Sequence, residues 1–188
     1  MEQELINRGI VLKGHFKLSS GLHSDTYINK DAIYRTPDLF RLVNYTLTEM
    51  TAEFKYDIVT GPAIAGAILA APISMLTGKT FIYPEKIPTE NDKTIMKFRR
   101  GYDKVIYDKD VVIIEDIITT GNSVKQTMDA VLENGGRVSG IVCIWNREGW
   151  EPNVGIEIVS IINTKVVSWN EEDCPQCKSK IPVTNPKE

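Results

Sequence analysis

The segment VVIIEDIITTGNS, residues 111–123, constrains this chain more than any other. Four apolar residues with the look of a buried strand run into Glu115 and Asp116, then into Thr119, Thr120, Gly121 and Ser123. An amphipathic run follows, in which Val124, Met128, Val131 and Leu132 share one helical face, Ser123 and Gln126 have capping-box spacing, and NGG closes the helix. A strand that passes through a loop of small residues into a helix is the repeating step of an α/β sheet.

The step recurs along the chain. In TPDLFRLVNYTLTEM, Thr36 is a candidate N-cap and Pro37 a first helical residue, and Leu39, Val43, Leu47 and Met50 form one apolar face. YDIVTG reads as a strand entering a loop, and AGAILAAPISMLTG as a helix closed by Gly78 that Pro72 should kink or delay. KTFIY, VSGIVCIW and GIEIVSIIN are further strands. The alternation predicts an α/β fold with a mostly parallel central sheet flanked by helices on both faces. At 188 residues, 42% hydrophobic and 25% charged, the expectation is one domain over residues 1–188. A net charge of −3 and a pI near 5.5 argue against nucleic acid as a partner. No apolar run reaches the roughly 18 residues of a membrane span. The acidic, mixed N-terminus has no signal-peptide pattern, and three cysteines make no disulfide framework, so a reducing cytoplasm is expected.

In parallel sheets, ligands bind beyond the carboxyl ends of the strands. The amides at the start of the helix near Ser123, with the hydroxyls of Thr119, Thr120 and Ser123, make an anion site there. Gly121 permits the close backbone approach or positive φ that a side chain would block. Glu115 and Asp116 repel phosphate but suit sugar hydroxyls or a magnesium ion that keeps its waters. Both kinds of group together suit a phosphorylated sugar. The nucleotide-triphosphatase loop G-x-x-x-x-G-K-[ST] is absent from the sequence.

With these residues in view, the segment resembles the phosphoribosyl pyrophosphate signature of type I phosphoribosyltransferases: four apolar residues, two acids, two apolar residues, then T-T-G-x-S. GHFKLSSGLHSDTYINK, residues 14–30, resembles the N-terminal orotate-site segment of orotate phosphoribosyltransferases. IWNREG, residues 144–149, is similar to their strand-end segment with an orotate-binding arginine, and TGPAIAGA, residues 60–67, to the loop that meets pyrophosphate. The resemblance implies the type I fold, with a small N-terminal hood over residues 1–35, a lid over 84–103 and a tail over 165–188. It implies that Glu115, Asp116, Ile117, Ile118, Thr119, Thr120, Gly121, Asn122 and Ser123 bind phosphoribosyl pyrophosphate. Thr60, Gly61, Ala63 and Gly66 would form the pyrophosphate loop, and Thr119 and Arg147 would contact orotate. Ser20, Gly21 and Tyr27 would close over the pyrimidine, although Tyr27 reads equally well as core packing. His15 and His23 read as hydrogen-bonding or packing residues.

The interval PEKIPTENDKTIMKFRRGYDK lacks the K-x-H-G lid stretch common in that family. Met96 and Phe98 alternate with Lys97 and Arg99 around a TEND turn, which predicts a β-hairpin. Lys86, Lys93, Lys97, Arg99 and Arg100 are the available cations. Of these, Lys93, Lys97, Arg99 and Arg100 are the expected catalytic partners of Glu115 and Asp116. CPQC, Cys174 to Cys177, has the spacing of half a zinc site; a structural site needs a second pair, Cys143 lies in an apolar strand, and two chains could each supply a pair across a dimer, which leaves zinc open. No direct metal ligand is expected in the active site, and magnesium would be held through substrate and water. The resemblance implies transfer of 5-phosphoribosyl to orotate in pyrimidine synthesis by a homodimer whose lid reaches the partner's site. Two other readings share residues 111–123: a purine or other nucleobase phosphoribosyltransferase, and an RNA-binding regulator that senses phosphoribosyl pyrophosphate.

Overall fold

The structure is a computed structural model that describes residues 2–18, 20–89, 94–147, 149–152, 155–162 and 166–185. In chain order the elements begin with α1 Glu2–Asn7, β1 Val11–Lys17, β2 His23–Ile28, α2 Lys30–Arg35 and α3 Pro37–Thr51. They continue with β3 Ile58–Thr60, α4 Ala65–Thr77, β4 Thr80–Phe81, the hairpin strands β5 Glu85–Pro88 and β6 Thr94–Lys97, and α5 Tyr102–Ile106. The last are β7 Asp110–Ile118, α6 Asn122–Glu133, β8 Arg137–Asn146, β9 Ile158–Ile162, β10 Ser168–Trp169 and α7 Pro175–Lys178. The chain divides into two compact units, residues 1–40 with 164–188, and residues 41–163. Among the described residues, no helix is long and apolar enough to cross a membrane.

The second unit is built on a five-stranded sheet of order β4-β3-β7-β8-β9, parallel throughout. Its central strand explains why. Val111, Val112, Ile113 and Ile114 are all fully buried, so neither face of β7 can meet water, as in parallel sheets covered by helices. From β3 the chain moves outward through α4 to β4, and from β7 it moves the other way through α6 to β8. Right-handed crossovers in opposite directions set α4 and α6 on opposite faces. The chain therefore changes direction between β3 and β7, where such sheets open a crevice for ligand.

Local signals in the sequence behave unevenly. Pro37 does open α3, and Leu39, Val43 and Leu47 are buried along it. Gly78 closes α4 at φ 68°, its N–H donating to the Ser74 carbonyl at 2.9 Å. Pro72, however, neither ends α4 nor delays its start. No capping box forms on α6: Gly121 is the N-cap at φ 72°, Ser123 already lies inside the helix, and no side chain caps it. Leu132 is 54% exposed, so the apolar face of α6 is Val124, Met128 and Val131.

β5 and β6 form the expected antiparallel hairpin, with Glu85 opposite Lys97 and Pro88 opposite Thr94. Met96 and Phe98 point inward and are 3% and 4% exposed, within a cluster that includes Ile58, Ile82, Ile106, Val111 and Val131. The second arm of this hairpin is thus rooted in the core of its unit, while Lys97, Arg99 and Arg100 are exposed.

In the first unit, β1, β2 and β10 form an antiparallel sheet of order β1-β2-β10. Leu5, Ile10, Phe16, Ile28 and Ile33 are buried in this unit. The tail returns to β1: the Thr184 N–H donates to the His15 carbonyl at 2.7 Å, beside a parallel bridge between Phe16 and Thr184.

Met96→Ala should remove the hairpin's main anchor and cost about 2–5 kcal/mol of unfolding free energy. Urea denaturation would measure the loss, and limited proteolysis should find faster cleavage between β5 and β6. Unchanged stability would mean that the hairpin is not held through Met96.

Candidate active site

Because β3, β7 and β8 are parallel, the segments after them leave the same edge of the sheet. Thr60 pairs with Ile113, and Ile118 pairs with Asn146. β3 therefore stops level with Ile113, so its loop of residues 61–64 lies beside the later part of β7, while the loop of residues 119–121 and Arg147 emerge together five residues further on. Arg147 is tied there by its backbone, whose N–H donates to the Ile118 carbonyl at 2.9 Å.

The loop after β3 lies backbone against backbone on β7. A Cβ added at Gly61 or at Gly66 would come within 2.5 Å of the Ile114 carbonyl oxygen. The Ala63–Ile64 peptide in this loop is cis. Thr60 is fully buried, and its Oγ1 has no hydrogen-bond partner among the described residues. An unpaired buried hydroxyl costs free energy unless something arrives to bond it. A hydroxyl so placed, at the start of a loop that glycines let lie on backbone, suits an anionic oxygen.

The loop after β7 is made differently. β7 runs on to Ile118, so Glu115 and Asp116 lie inside its last turn of pleat rather than beyond its end. Both acids are buried, at 7% and 3% exposure. Glu115 Oε1 accepts the Asp116 N–H at 3.0 Å, and Asp116 Oδ1 accepts the Ile117 N–H at 2.6 Å. Each carboxylate is thus oriented by the backbone next to it. Their charge is felt across the sheet. Burial first, then Glu115 and Asp116, push the Cys143 thiol far above its ordinary range, so Cys143 stays protonated and inert. Thr119 is half-buried, Thr120 exposed, and Ser123 lies in the first turn of α6.

Gly121 has a second reason to be glycine besides its positive φ: a Cβ there would enter the indole ring of Trp150. Trp150 is held by Asn146, whose Nδ2 donates to the Trp150 carbonyl at 2.8 Å while its Oδ1 accepts the Trp150 N–H at 2.9 Å. Asn146 and Trp150 escaped the sequence reading. The signal that points to them is their flanking of Arg147 in a single tight loop.

The remaining candidates fare unequally. Arg147 is half-buried at the shared edge. Among the hairpin cations, Arg100 donates to Glu85 Oε1 at 2.6 Å, which holds its guanidinium charged and engaged. Lys97 and Arg99 are exposed without an ion pair among the described residues, and Lys93 lies outside the described residues. In the first unit, Ser20 and Gly21 form the exposed tip between β1 and β2, where Gly21 takes φ 84° and donates to the Leu18 carbonyl. Tyr27 packs its ring 5.7 Å from that of Phe16, which fits the packing reading.

The phosphoribosyl transferase domain family matches residues 29–173. The chain is 34% identical over 177 residues to an orotate phosphoribosyltransferase of Caldanaerobacter subterraneus subsp. tengcongensis, covering 94% of this chain and 90% of that protein. In fold it is similar to the orotate phosphoribosyltransferase of Aeropyrum pernix, with TM-score 0.65, 22% identity and coverage of 85% and 90% of the two chains. It is about equally similar to the adenine phosphoribosyltransferase of Saccharomyces cerevisiae, with TM-score 0.64, 17% identity and coverage of 85% and 97%. The fold alone therefore does not choose the base.

Gly61→Ala should cost about 1–3 kcal/mol, because only backbone is available to move aside. It should also abolish binding of inorganic pyrophosphate in calorimetry. Gly78→Ala, at φ 68° with open space around it, should cost about 1–2 kcal/mol and leave that binding intact. Equal pyrophosphate affinity in both variants would remove the loop's assigned role.

Proposed function

The chain belongs to the orotate phosphoribosyltransferases, and from that premise we propose that it transfers the 5-phosphoribosyl group of phosphoribosyl pyrophosphate to the ring nitrogen of orotate. The products are orotidine 5'-phosphate and pyrophosphate, in pyrimidine nucleotide synthesis. The observation that carries this reading is the pair of dissimilar loops on adjacent parallel strands. One is a turn whose Gly61 and Gly66 pack on the β7 backbone beside an orphaned Thr60 hydroxyl, and the other is a threonine-rich helix entry preceded by two buried carboxylates. A substrate with phosphate at one end, pyrophosphate at the other and ribose hydroxyls between uses every one of these groups.

In this reading Thr119, Thr120, Gly121, Asn122 and Ser123 hold the 5'-phosphate with the first amides of α6. Glu115 and Asp116 accept the ribose hydroxyls. Thr60, Gly61, Ala63 and Gly66 receive the pyrophosphate. Arg147 offers its planar fork to the orotate carboxylate, and Thr119 approaches the base.

The bond from the anomeric carbon to pyrophosphate breaks with its electron pair leaving on oxygen. The bond to the pyrimidine nitrogen forms, and that nitrogen gives up its proton. No covalent nucleophile on the protein is required. Rate comes from alignment of the two reactants and from charge placed where the leaving group develops its own. Lys93, Lys97 and Arg99 would supply that charge; Lys97 and Arg99 are exposed, while Arg100 must first leave Glu85. The two buried carboxylates Glu115 and Asp116 offer hard oxygen ligands of the kind a hydrated magnesium ion uses, the ion being held mainly through substrate. When bound, magnesium neutralises charge on the pyrophosphate. A homodimer in which each hairpin reaches the partner's site belongs to the same proposal.

Asp116→Asn keeps the shape and the acceptor for the Ile117 N–H but removes the charge. Turnover should fall steeply with an unchanged melting temperature, and full activity would sink the role given to Asp116. Arg147 distinguishes orotate from a purine base. Arg147→Ala loses a charge-assisted bond worth about 1.5–3 kcal/mol, so kcat/KM for orotate should drop about ten- to over a hundredfold. Affinity for phosphoribosyl pyrophosphate should hold, and Arg147→Lys should restore only part of the loss. Normal use of orotate by the alanine variant would reopen the purine-base reading.

A further inference from the structure

Four side chains far apart in sequence meet in the first unit. His15 comes from β1, His23 from β2, and Cys174 and Cys177 from the two ends of the single turn made by α7. One ligating atom of each lies within 4.8 Å of all the others. His15 Nε2 is 2.9 Å from His23 Nδ1, 3.5 Å from Cys174 Sγ and 3.6 Å from Cys177 Sγ, and Cys177 Sγ is 3.2 Å from His23 Nδ1. His15, His23 and Cys174 are 2%, 2% and 0% exposed.

Hydrogen bonding does not account for this arrangement. An imidazole nitrogen carries either one N–H or one lone pair, in the ring plane. His15 Nε2 faces three polar atoms at once, so at most one of them is served by a proton. Four atoms around a common point are what a tetrahedral ion requires. With bonds of about 2.0–2.1 Å to nitrogen and 2.3 Å to sulfur, the edges of a zinc tetrahedron are about 3.3 Å between nitrogens and about 3.6 Å between nitrogen and sulfur. The four separations given above lie within about half an ångström of those edges, and all of the ligating atoms lie within 4.8 Å of one another.

The surroundings agree. His15 Nδ1 lies 2.7 Å from the Ile181 carbonyl, so its N–H points there and Nε2 is left with its lone pair toward the cluster. A histidine ligand whose other nitrogen donates to a backbone carbonyl is the usual supporting arrangement in metal sites. Two thiolates and two neutral imidazoles cancel the charge of a divalent ion, so the buried site carries no net charge. Two sulfurs and two nitrogens in a tetrahedron select zinc over magnesium or calcium. All four positions are filled by protein, which makes the site structural, with no open place for substrate.

We propose that His15, His23, Cys174 and Cys177 bind one zinc ion within a single chain, fastening the tail to the β1–β2 hairpin. Binding releases the two thiol protons, leaving both cysteines as thiolates. The tail supplies one pair of ligands, as its spacing predicts, but the second pair is histidine rather than cysteine and comes from the same chain.

Elemental analysis of the full-length protein, after gel filtration in metal-free buffer, should find one zinc per chain and no stoichiometric iron. Replacing zinc by cobalt should produce the intense visible absorption of a tetrahedral ion with sulfur-to-cobalt charge transfer. Cys177→Ser should lose zinc, and Cys143→Ala should keep it. Both measurements on the unaltered chain stand even if Cys177→Ser fails to fold. Less than about a tenth of a zinc per chain with only the pale spectrum of octahedral cobalt would overturn the site. So would a Cys174–Cys177 disulfide in protein purified under reducing conditions, or full zinc content in Cys177→Ser.

Discussion

The parallel pairing of β7 with β3 on one side and β8 on the other is the constraint from which the candidate active site follows. β7 is apolar on both faces through Ile114, so it must be covered on both and cannot lie at an edge. Pairing it in parallel on both sides points the carboxyl ends of three strands the same way, with β7 and β8 ending level at Ile118 and Asn146 and β3 stopping opposite Ile113. Thr60 and Ile113, and Ile118 and Arg147, remote in sequence, become neighbours through backbone pairing.

Around that edge, space is made by removing atoms. Gly61 and Gly66 let one loop lie on the backbone of β7, and Gly121 lets an indole lie on the other loop. Closely packed backbone is stiff, and stiffness suits a site that works by alignment and fixed charge. The hairpin shows the complementary solution. One side of β6 is buried through Met96, continued by Phe98, while the cations between and after them remain at the surface. Alternation along a strand lets one segment anchor and present charge at once.

The first unit holds itself together by other means. Its sheet has three short strands, and small sheets bury little apolar area. The return of the tail along β1, and the convergence of His15, His23, Cys174 and Cys177, supply long-range connections that its core alone provides sparingly. Closing so long a loop is worth more than closing a short one.

The sequence alone determined what depends on neighbours along the chain. The strand-loop-helix of residues 111–123, the opening of α3 at Pro37, the closure of α4 at Gly78 and the hairpin alternation around Met96 are all local patterns, and each has its element in the structure. It failed locally where two cues competed. Ser123 has capping-box spacing, but the positive φ of Gly121 already ends the loop and starts α6 one residue earlier, so Ser123 falls inside the helix. Pro72 carries a helix-breaking signal, yet α4, packed against β3 and β7, continues through it. Only the tertiary structure decided which distant residues meet. Nothing near Gly121 announces Trp150, and nothing near Cys174 announces His15, 159 positions away. Such pairings are set by sheet register and by the path of the tail, which are sums of many weak contacts across the fold, and no short stretch of sequence contains that sum.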